Sequence, residues 1–562
     1  MSAQIHYGQI QKTFSHSLVA PLSMLGEMKD RAGRVACKTP FYHWLLSSGQ
    51  SPDQLSVRLS DPWVGQADLG RLMTQGVMRA HGASLPINHD FWRMSEEAPL
   101  WRDHIHGFCW FRDLRAAGGD AARRMARNFV DDWITRYDRW DAEIWRADLI
   151  GQRITMWLSF FDFFCGSADE AFQEKYFASL NRQARHLSRV FPAGLSGLPL
   201  LRAARGLIYA GLSFPGRDAW ILQGFQSVLK EIPKQVTSDG LHASGAPENL
   251  LECAKILLDL RYALNRAGLP IPAMLTTSIE KMGPALRFFC YPDRKLGLYH
   301  GGQEGEIAEI DSVLSQIRGS KRPMKGSSLG GFERVMVGRS FLMMDHSTCP
   351  ESPFDQVWHS APLSFEFMYG RDRIFTHCGG HPAHQDWQQI LRHTAAHNAV
   401  VVNGRPVHDL RPDCSVARDF APIKCSRTEN RQACLLEATH DGYLSSMGIS
   451  HRRRLFLTDT GHDLRGEDTL MSSGGDMKSK EVALRFHLHP KVQVSQVHQD
   501  QDVVLTLPSG SSWRFYGVGA KLEVEESVYL GNGIRPVKTH QLVLKTALDG
   551  EALQVKWALQ RE

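Results

Sequence analysis

Residues 392–404 read RHTAAHNAVVVNG, and this stretch passes abruptly from polar to apolar sequence. Its polar part holds two histidines, His393 and His397, and its apolar part is Val400–Val402, followed by an Asn-Gly pair. A short β-branched run that ends at a turn signal is typical of a buried strand. The two histidines and Asn398 at the start of this strand could serve a metal ion, a substrate carboxylate or only the local fold.

The sequence from residue 332 onward alternates apolar and polar side chains with a period of two. Examples are FERVMVGRSFLMMD (332–345), RRRLFLTDT (452–460), DVVLTLPSGSSWRFY (502–516) and KLEVEESVYLG (521–531). Residues 540–559 predict a hairpin around Asp549-Gly550. Many such strands without intervening helices predict an antiparallel β-sandwich domain over 332–562.

The sequence before residue 301 has the period of amphipathic helices instead. In residues 119–148, large apolar side chains recur three and four positions apart, which predicts one helix face. Further segments of this kind, separated by Gly/Pro breaks, predict stacked helical hairpins over 1–300. Residues 301–331 carry seven glycines and predict a linker with one short helix at Ile307–Ile317. The fold class is therefore α+β with more than one domain.

Length and charge set wider bounds on the protein. A chain of 562 residues is too long for one compact core, so two or three domains are expected. The net charge of +5 arises from 65 basic and 60 acidic side chains and hints only weakly at an acidic partner. No long Lys/Arg run or nucleic-acid-binding signature occurs, so a nucleic acid is not predicted. An anionic polysaccharide fits the charge equally well, as does a simple effect on solubility.

Cysteine spacing and hydropathy indicate the compartment. None of the ten cysteines forms a CxxC pair, so the sequence predicts free thiols in a reducing environment. The first 33 residues lack a basic segment followed by an apolar one, and no stretch of 18 apolar residues occurs. These features predict a cytoplasmic protein without a membrane span. A start site chosen too far downstream would make the periplasm the alternative.

Several motifs together resemble the heparinase II/III family. In the second half these are TAAHNAVVVNG (394–404), THDGY (439–443), HRRRLFL (451–457) and RFHLHP (485–490). In the first half they are WRDHIHGFCWFRDL (101–114), GLPLLRAARGLIYAGL (197–212) and SDGLHASGAPENLLECAKILLDLR (238–261). The resemblance implies an (α/α) toroid followed by a β-sandwich, with the active site in the cleft between them. It also implies β-elimination on a uronic-acid-containing glycan, which makes an acidic polysaccharide or oligosaccharide the expected partner.

β-Elimination places definite demands on the side chains of that cleft. A neutralising group must face the uronate, a base must remove the C5 proton, and an acid must protonate the leaving oxygen. The resemblance implies an Asn-His pair on a toroid helix and a Tyr-His pair after a turn. This sequence has Leu198-Pro199 and Glu248-Asn249 at those places. The predicted function is a polysaccharide lyase that uses other residues for β-elimination. The alternative is a catalytically inactive glycan-binding or scaffold protein, and a hydrolase with paired carboxylates at Glu248 and Asp239 is a third, weaker reading.

The candidate site residues follow from residue type and position. His242 and His397 are the predicted catalytic residues; the alternative for His242 is a turn before a helix, in which the ring bonds only to backbone. Arg153 interrupts an apolar stretch and needs either a structural carboxylate or a substrate as partner. The predicted substrate-binding residues are Arg153, Trp110, Arg112, His106, Tyr299 and Asn398. For any single tryptophan, packing in the core is the competing explanation.

A structural zinc ion is a further implication of the resemblance. The residues that it implies as ligands are His397, Asp413 and His440, whose imidazole and carboxylate groups suit zinc. The alternative is that these side chains hydrogen-bond the ends of strands. The elimination chemistry itself requires no cofactor, and the sequence leaves the oligomeric state open.

Overall fold

The structure is a computed structural model of the chain, and it places helices first and antiparallel sheets second. The described residues are 35–80, 83–93, 99–319, 323–327, 330–380, 385–411, 415–416, 423–473, 479–497, 502–533 and 535–562. Asp413 lies outside these ranges.

The helices fill the first half of the chain. They are α1 (Pro40–Ser47), α2 (Ala67–Thr74), α3 (Pro99–Gly107), α4 (Phe111–Ala117), α5 (Gly119–Tyr137), α6 (Ala147–Ser159), α7 (Phe161–Phe164), α8 (Glu170–Val190), α9 (Gly197–Ser213), α10 (Asp218–Gln235), α11 (Pro247–Arg266), α12 (Ala273–Phe289) and α13 (Ile307–Gln316), with α14 (Gln385–Leu391) and α15 (Leu444–Met447) in the second half. Among the residues that the structure describes, no helix is both long and apolar enough to cross a bilayer. The predicted short helix in the 301–331 segment is confirmed as α13.

The helix predicted across residues 119–148 is shorter than expected. It ends at Tyr137, and Trp140 lies in the loop that follows. The Asp141 carboxylate accepts hydrogen bonds from the backbone N–H groups of Glu143 at 2.8 Å and Ile144 at 2.9 Å. Such a local side-chain turn competes with helical hydrogen bonding, so the chain turns here before α6 begins.

The strands form a small sheet in the helical half and three sheets beyond it. They are β1 (Val77–Ala80), β2 (Ala83–Pro86), β3 (Gly326–Ser327), β4 (Phe332–Val337), β5 (Ser340–Asp345), β6 (Phe365–Tyr369), β7 (Asp372–Phe375), β8 (Val400–Val402), β9 (Lys424–Glu429), β10 (Ala433–Tyr443), β11 (Ile449–Thr458), β12 (Asp463–Ser472), β13 (Lys480–His487), β14 (Gln493–Val497), β15 (Asp502–Thr506), β16 (Ser512–Val518), β17 (Lys521–Tyr529), β18 (Val537–Leu548) and β19 (Ala552–Arg561). Strands β3 to β7 form one sheet in chain order, and β17-β18-β13-β8 form another. The largest sheet has the order β14-β15-β16-β19-β12-β11-β10-β9.

The strand predicted at Val400–Val402 is confirmed as β8, which pairs with β13 and is buried along its whole length. The hairpin predicted around Asp549-Gly550 is wrong. Strands β18 and β19 pair with different partners and lie in different sheets, so this turn is a corner between sheets. Alternate apolar side chains of both strands, such as Leu544 and Trp557, bury into one shared core. The period of two is therefore correct, but it does not say which strand is the partner.

The helical half and the sheets meet in a dense polar junction. The Tyr291 hydroxyl donates to the Glu366 carboxylate at 2.6 Å, and the Tyr299 hydroxyl donates to the Met343 carbonyl at 2.8 Å. His300 and His359 bond reciprocally: the backbone N–H of each donates to ring Nδ1 of the other at 3.1 Å. These bonds fix the two halves against each other around the cleft.

Helices α6 and α9 cross at two glycines, and this crossing supports one wall of the cleft. A Cβ atom built on Gly206 would lie 2.3 Å from Gly151 Cα, and one on Gly151 would lie 2.4 Å from the Arg202 carbonyl oxygen. The two backbones are thus in direct contact. The contact brings Gln152 beside Arg205, whose guanidinium donates to the Gln152 amide oxygen at 2.5 Å.

Substitution of Gly206 by alanine is expected to destabilise the protein by about 3 kcal/mol, because the added methyl group forces two packed helices apart. Chemical denaturation followed by circular dichroism measures the change. Gly550→Ala is the matched control, since a Cβ there meets no atom within 4 Å. Equal stability of the two variants would contradict the close helix crossing.

Candidate ligand-binding cleft

A cavity of about 510 Å³ lies between the helical half and the sheets. Helices α3, α6, α9, α11 and α13 supply one side, and the segments around His300, His359, Gly379 and Arg392 supply the other. Its charged and imidazole-bearing lining residues are Asp103, His104, Arg112, Asp148, Arg202, Arg205, Glu248, Glu252, Lys255, His300, Glu309, His359 and Arg392. No tryptophan, tyrosine or phenylalanine is among the described residues of this lining.

The deepest cations of the cleft are held by carboxylates of the protein itself. Arg112 forms a bidentate ion pair with Asp61, with nitrogen–oxygen distances of 2.8 to 3.1 Å. Arg205 bonds Asp259 at 2.6 Å, and both of these side chains are 2% exposed. Burial raises the pKa of Asp259, whereas the charges of Arg205 and Arg112 lower it, and the effect of burial is the larger one. These arginines are therefore committed to structural partners.

A second charge network runs along the first turns of α11. Lys255 bonds Glu309 and lies 3.6 Å from Glu252, while Arg202 lies 3.4 Å from the same Glu252 carboxylate. Burial alone would raise the pKa of Glu252, but Lys255 and Arg202 outweigh it and hold that pKa well below its usual range. Glu252 is consequently an ionised, fully paired carboxylate.

Glu248 differs from every other acid in this network. It lies one turn before Glu252 on α11, and the described residues place no cation within ion-pair distance of it. Solvent in the cleft reaches its side chain, although the cleft walls surround it. Enclosure by those walls, and then the charges of Glu309 and Glu252, raise the pKa of Glu248 to about 7.

The exposed layer of the cleft is more acidic than the layer beneath it. Glu309 is 35% exposed and Glu252 is 26% exposed, whereas Lys255 and Arg112 are 9% and 13% exposed. Arg202, at 33%, is the most exposed of these cations. A ligand that enters the cleft thus meets Glu309 and Arg202 before the more deeply buried Lys255 and Arg112.

The wall on the sheet side is made mainly of backbone and imidazole groups. Nε2 of His359 lies 2.6 Å from the backbone nitrogen of Gly301, and Arg392 donates to the carbonyls of Trp358 and Asp355 at 2.9 and 2.8 Å. Burial, followed by the neighbouring imidazoles, lowers the pKa of His359 well below its usual value. The His359 ring is therefore neutral, and the backbone nitrogens of His300 and Gly301 lie against it.

The structure brings Arg112 to the cleft but places three other predicted substrate-binding residues in the helical core. Arg153 is fully buried over the Trp133 ring and donates to Gln183 and to the carbonyls of His106 and Ile144. Without a carboxylate partner, burial lowers its pKa to about 9. Trp110 donates to the Ile105 carbonyl, and His106 accepts from the Trp133 indole. The polar atoms of Arg153, Trp110 and His106 thus bond partners in the core, and none of the three lines the cavity.

The predicted catalytic residue His242 lies in a turn outside the cavity lining. Its ring contacts Ser244 Oγ at 2.8 Å and the Gln235 amide oxygen at 3.3 Å, and burial lowers its pKa to about 3. His242 thus lies in a turn before a helix, as in the alternative, but its ring bonds the side chains of Ser244 and Gln235 as well as backbone. The proposed partner for paired carboxylates, Asp239, belongs to the same turn and bonds Thr237.

The remaining predicted residues lie behind the sheet-side wall. His397 bonds the Leu391 carbonyl through Nε2 at 2.9 Å and packs against His359. Asn398 donates to the carbonyls of Phe365 and Thr376 and accepts from the His487 backbone N–H, so it joins strands together. Tyr299 is 1% exposed and bonded to Met343. All three support the wall from behind, and none of them lines the cavity.

The described residues do not form the predicted zinc site. Nε2 of His440 bonds Nδ1 of His451 at 3.0 Å, and its own Nδ1 accepts from the Gly442 backbone N–H at 3.1 Å. Within the described ranges no three His, Cys, Asp or Glu side chains are grouped so as to hold a metal ion. Because Asp413 lies outside those ranges, a zinc on His397, Asp413 and His440 stays a prediction.

Sequence reasoning did not select most of the residues that do line the cavity. Leu198, Glu248 and Asn249 stand out in the sequence as departures from the family motifs, Glu248 also as a possible hydrolytic carboxylate, and all three line the cavity. Arg202, Glu252 and Lys255 look like ordinary surface charges of amphipathic helices. Arg202 lies at i+4 from Leu198, Glu252 lies at i+4 from Glu248, and Lys255 lies at i+3 from Glu252. This spacing is the signal that places the members of each set on the same helix face.

Comparison with known proteins agrees with this architecture. Residues 81–319 match the heparinase II/III N-terminus, and residues 319–558 match the heparinase II/III-like C-terminal domain. The crystal structure of heparinase III aligns with a TM-score of 0.71 at 14% identity, over 95% of this chain and 91% of that chain. Heparan sulfate lyase from Pedobacter heparinus aligns with a TM-score of 0.58 at 16% identity, over 94% and 87%.

A curated relative extends the comparison beyond solved structures. The FtsZ-localized protein C of Caulobacter vibrioides is 28% identical over 535 residues, which are 92% of each chain. The two family matches together span almost the whole described chain, and the helical half followed by antiparallel sheets is the fold of heparinase III. This chain belongs to the heparinase II/III-like family.

Proposed function

We propose that the protein is a catalytically inactive glycan-binding member of its family that acts as a scaffold beside the FtsZ division machinery. The observation that carries the first part is the state of the cleft cations: each arginine and lysine in the described lining already bonds a carboxylate or a carbonyl of the protein. Among these described residues, a uronate finds no unpaired cation to neutralise the charge that grows on it during elimination.

The Tyr-His pair that the family resemblance implies for proton transfer is missing from the described lining as well. No tyrosine is among those residues, and Nδ1 of His359 accepts the backbone N–H of His300. Hydrolysis by the predicted carboxylate pair meets a different obstacle, because Asp239 does not line the cavity and instead bonds Thr237 in a turn. These arrangements support a cleft that holds a ligand without cleaving it.

The second part of the proposal rests on the curated relative. That protein is described as FtsZ-localized, and its similarity extends over nearly the full length of both chains. A shared location would put this protein on the cytoplasmic face of the division site, in agreement with the compartment that the sequence predicts. A glycan there would be an intracellular oligosaccharide or a cell-envelope precursor.

An elimination assay tests the inactive cleft. Lyase action creates a double bond conjugated to the uronate carboxylate, which absorbs in the ultraviolet. We expect no rise in absorbance with heparan sulfate, chondroitin, alginate or bacterial glucuronan, while an active heparinase run in parallel gives one. A steady rise with any of these polymers, from protein shown to be folded by circular dichroism, would overturn the proposal in favour of a lyase.

Co-sedimentation with FtsZ tests the scaffold role. The protein is mixed with purified FtsZ of the same organism. FtsZ forms polymers in the presence of GTP and does not form them in the presence of GDP. We expect it in the pellet only with GTP. Equal amounts in both pellets, or none in either, would remove the support for an FtsZ-linked role and leave the glycan-binding part to be judged separately.

A further inference from the structure

We propose that Glu248 makes the cleft select a glycan that carries a protonated amino group, in place of a carboxylated one. This inference rests on the proposed function, because it names the class of glycan that the inactive cleft holds. The cleft is the site already described, and the new assignment concerns what it recognises.

The position of Glu248 is the first argument. Its carboxyl faces the cavity from the first turn of α11, and it is the acid of the lining that the described residues leave without an ion-pair partner. Glu252, one turn further on, is already matched by Lys255 and Arg202. A ligand cation would complete the pairing at Glu248 as Lys255 does at Glu309.

The surroundings of Glu248 are the second argument. Glu309 of α13 and Glu252 of α11 act on it with the same sign of charge, whereas a backbone hydrogen bond from Gln303 and, more weakly, the charge of Arg202 favour the carboxylate. The local field therefore favours a positive group near Glu248. A uronate would be repelled by the same three carboxylates, since like charges in an enclosed cleft are poorly screened.

The opposite wall does not reverse this preference. The guanidinium of Arg392 is 1% exposed and bonds two carbonyls, while His300 and His359 are buried and neutral. Backbone groups at Gly379, Gly380 and Gly301 complete that side and can bond sugar hydroxyls. The wall thus supplies neutral contacts for the rest of a sugar ring.

Calorimetric titration with matched oligosaccharides tests the inference at neutral pH. The probes are a glucosamine tetrasaccharide, its fully N-acetylated form, and a heparan-derived tetrasaccharide. We expect the free amine to bind about tenfold more tightly than the acetylated form, and the heparan tetrasaccharide to bind worst. Glu248→Gln should remove the tenfold preference, because the charge pairing with the amine is lost. Glu248→Asp should retain part of it.

The control variant is Glu174→Gln, which changes an exposed helical glutamate far outside the cavity lining and should alter no affinity. Thermal unfolding of each variant confirms that the comparison is between folded proteins. Equal binding of the amine and acetylated forms, or an unchanged preference in Glu248→Gln, overturns the inference alone. Failure of all three oligosaccharides to bind overturns the proposed glycan-binding function. A tetralysine peptide that binds as tightly as the glucosamine probe would show recognition of the amine without the sugar, and also overturns the inference.

Discussion

Acidification from pH 7 to about pH 5 is expected to unfold the protein cooperatively, because many histidines are buried as neutral rings. Burial lowers the pKa of His106, His242, His300 and His408 to about 3, and that of His186, His346 and His487 to about 4. In the unfolded chain each ring takes up its proton near its ordinary pKa of about 6.5. The unfolded state therefore binds more protons as the pH falls below that value, and stability is lost toward the folded pKa.

The size of the effect follows from linkage. Below pH 6.5, each such ring lowers the free energy of unfolding by about 1.4 kcal/mol per pH unit. Between pH 6.5 and pH 5, four or five rings together therefore remove an amount comparable with a typical stability of about 5 to 15 kcal/mol. Asp113 and Asp345 act in the opposite direction, since burial raises their pKa values to about 6 and 7. They are fewer than the histidines, so the net change remains destabilising.

Tryptophan fluorescence against pH measures the transition. His106→Gln should move its midpoint to slightly lower pH, because one buried titrating ring is removed. His89→Gln is the control, as the His89 side chain is 87% exposed and should leave the midpoint in place. A protein that keeps its native fluorescence at pH 4.5 would contradict the neutral state of the buried rings.

Replacement of Asp468 by alanine is expected to cost about 3 to 5 kcal/mol, the usual loss when one partner of a buried ion pair is removed. Asp468 Oδ1 accepts from Arg453 Nε and His451 Nε2, each at 2.7 Å, and Oδ2 accepts from Trp557 Nε1 at 3.0 Å. Both members of the ion pair, Arg453 and Asp468, are completely buried. Loss of the carboxylate would leave the Arg453 charge uncompensated between two sheets.

Urea denaturation compares this variant with a neighbour on the same strand. Glu467→Gln alters a partly exposed carboxylate that pairs with Arg454 and Lys556, and such surface pairs are worth at most about 1 kcal/mol. We expect a large decrease for Asp468→Ala and a small one for Glu467→Gln. Similar losses for the two variants would show that the buried network does not carry the stability assigned to it.

The fold was predictable because periodicity reports which face of an element is buried. The period of three to four in the first half and of two in the second led to helices and strands that the structure contains. Local hydrogen bonds and partner choice were not predictable in this way. The Asp141 turn ends α5 early, and the Asp549-Gly550 corner joins two sheets instead of pairing adjacent strands.

The site was less predictable because residue type does not reveal what a polar side chain faces. Arg153 and His242 looked functional as polar groups in apolar or loop sequence, yet carbonyls, an amide and a hydroxyl inside the protein satisfy them. Arg112 lines the cleft, but its ion pair with Asp61 spans 51 positions and leaves no sequence signal. Glu248 stands out in the sequence as a departure from a family motif and as a possible hydrolytic carboxylate.

The reciprocal bonds between His300 and His359 have a consequence for motion. Because each backbone N–H is tied to the opposite ring, a hinge at Gly301 would have to break both bonds together. The cleft therefore keeps one width, and a ligand enters a preformed cavity without paying for domain closure. The amide protons of His300 and His359 should accordingly rank among the slowest to exchange with solvent deuterium, and bound ligand should change their rates little.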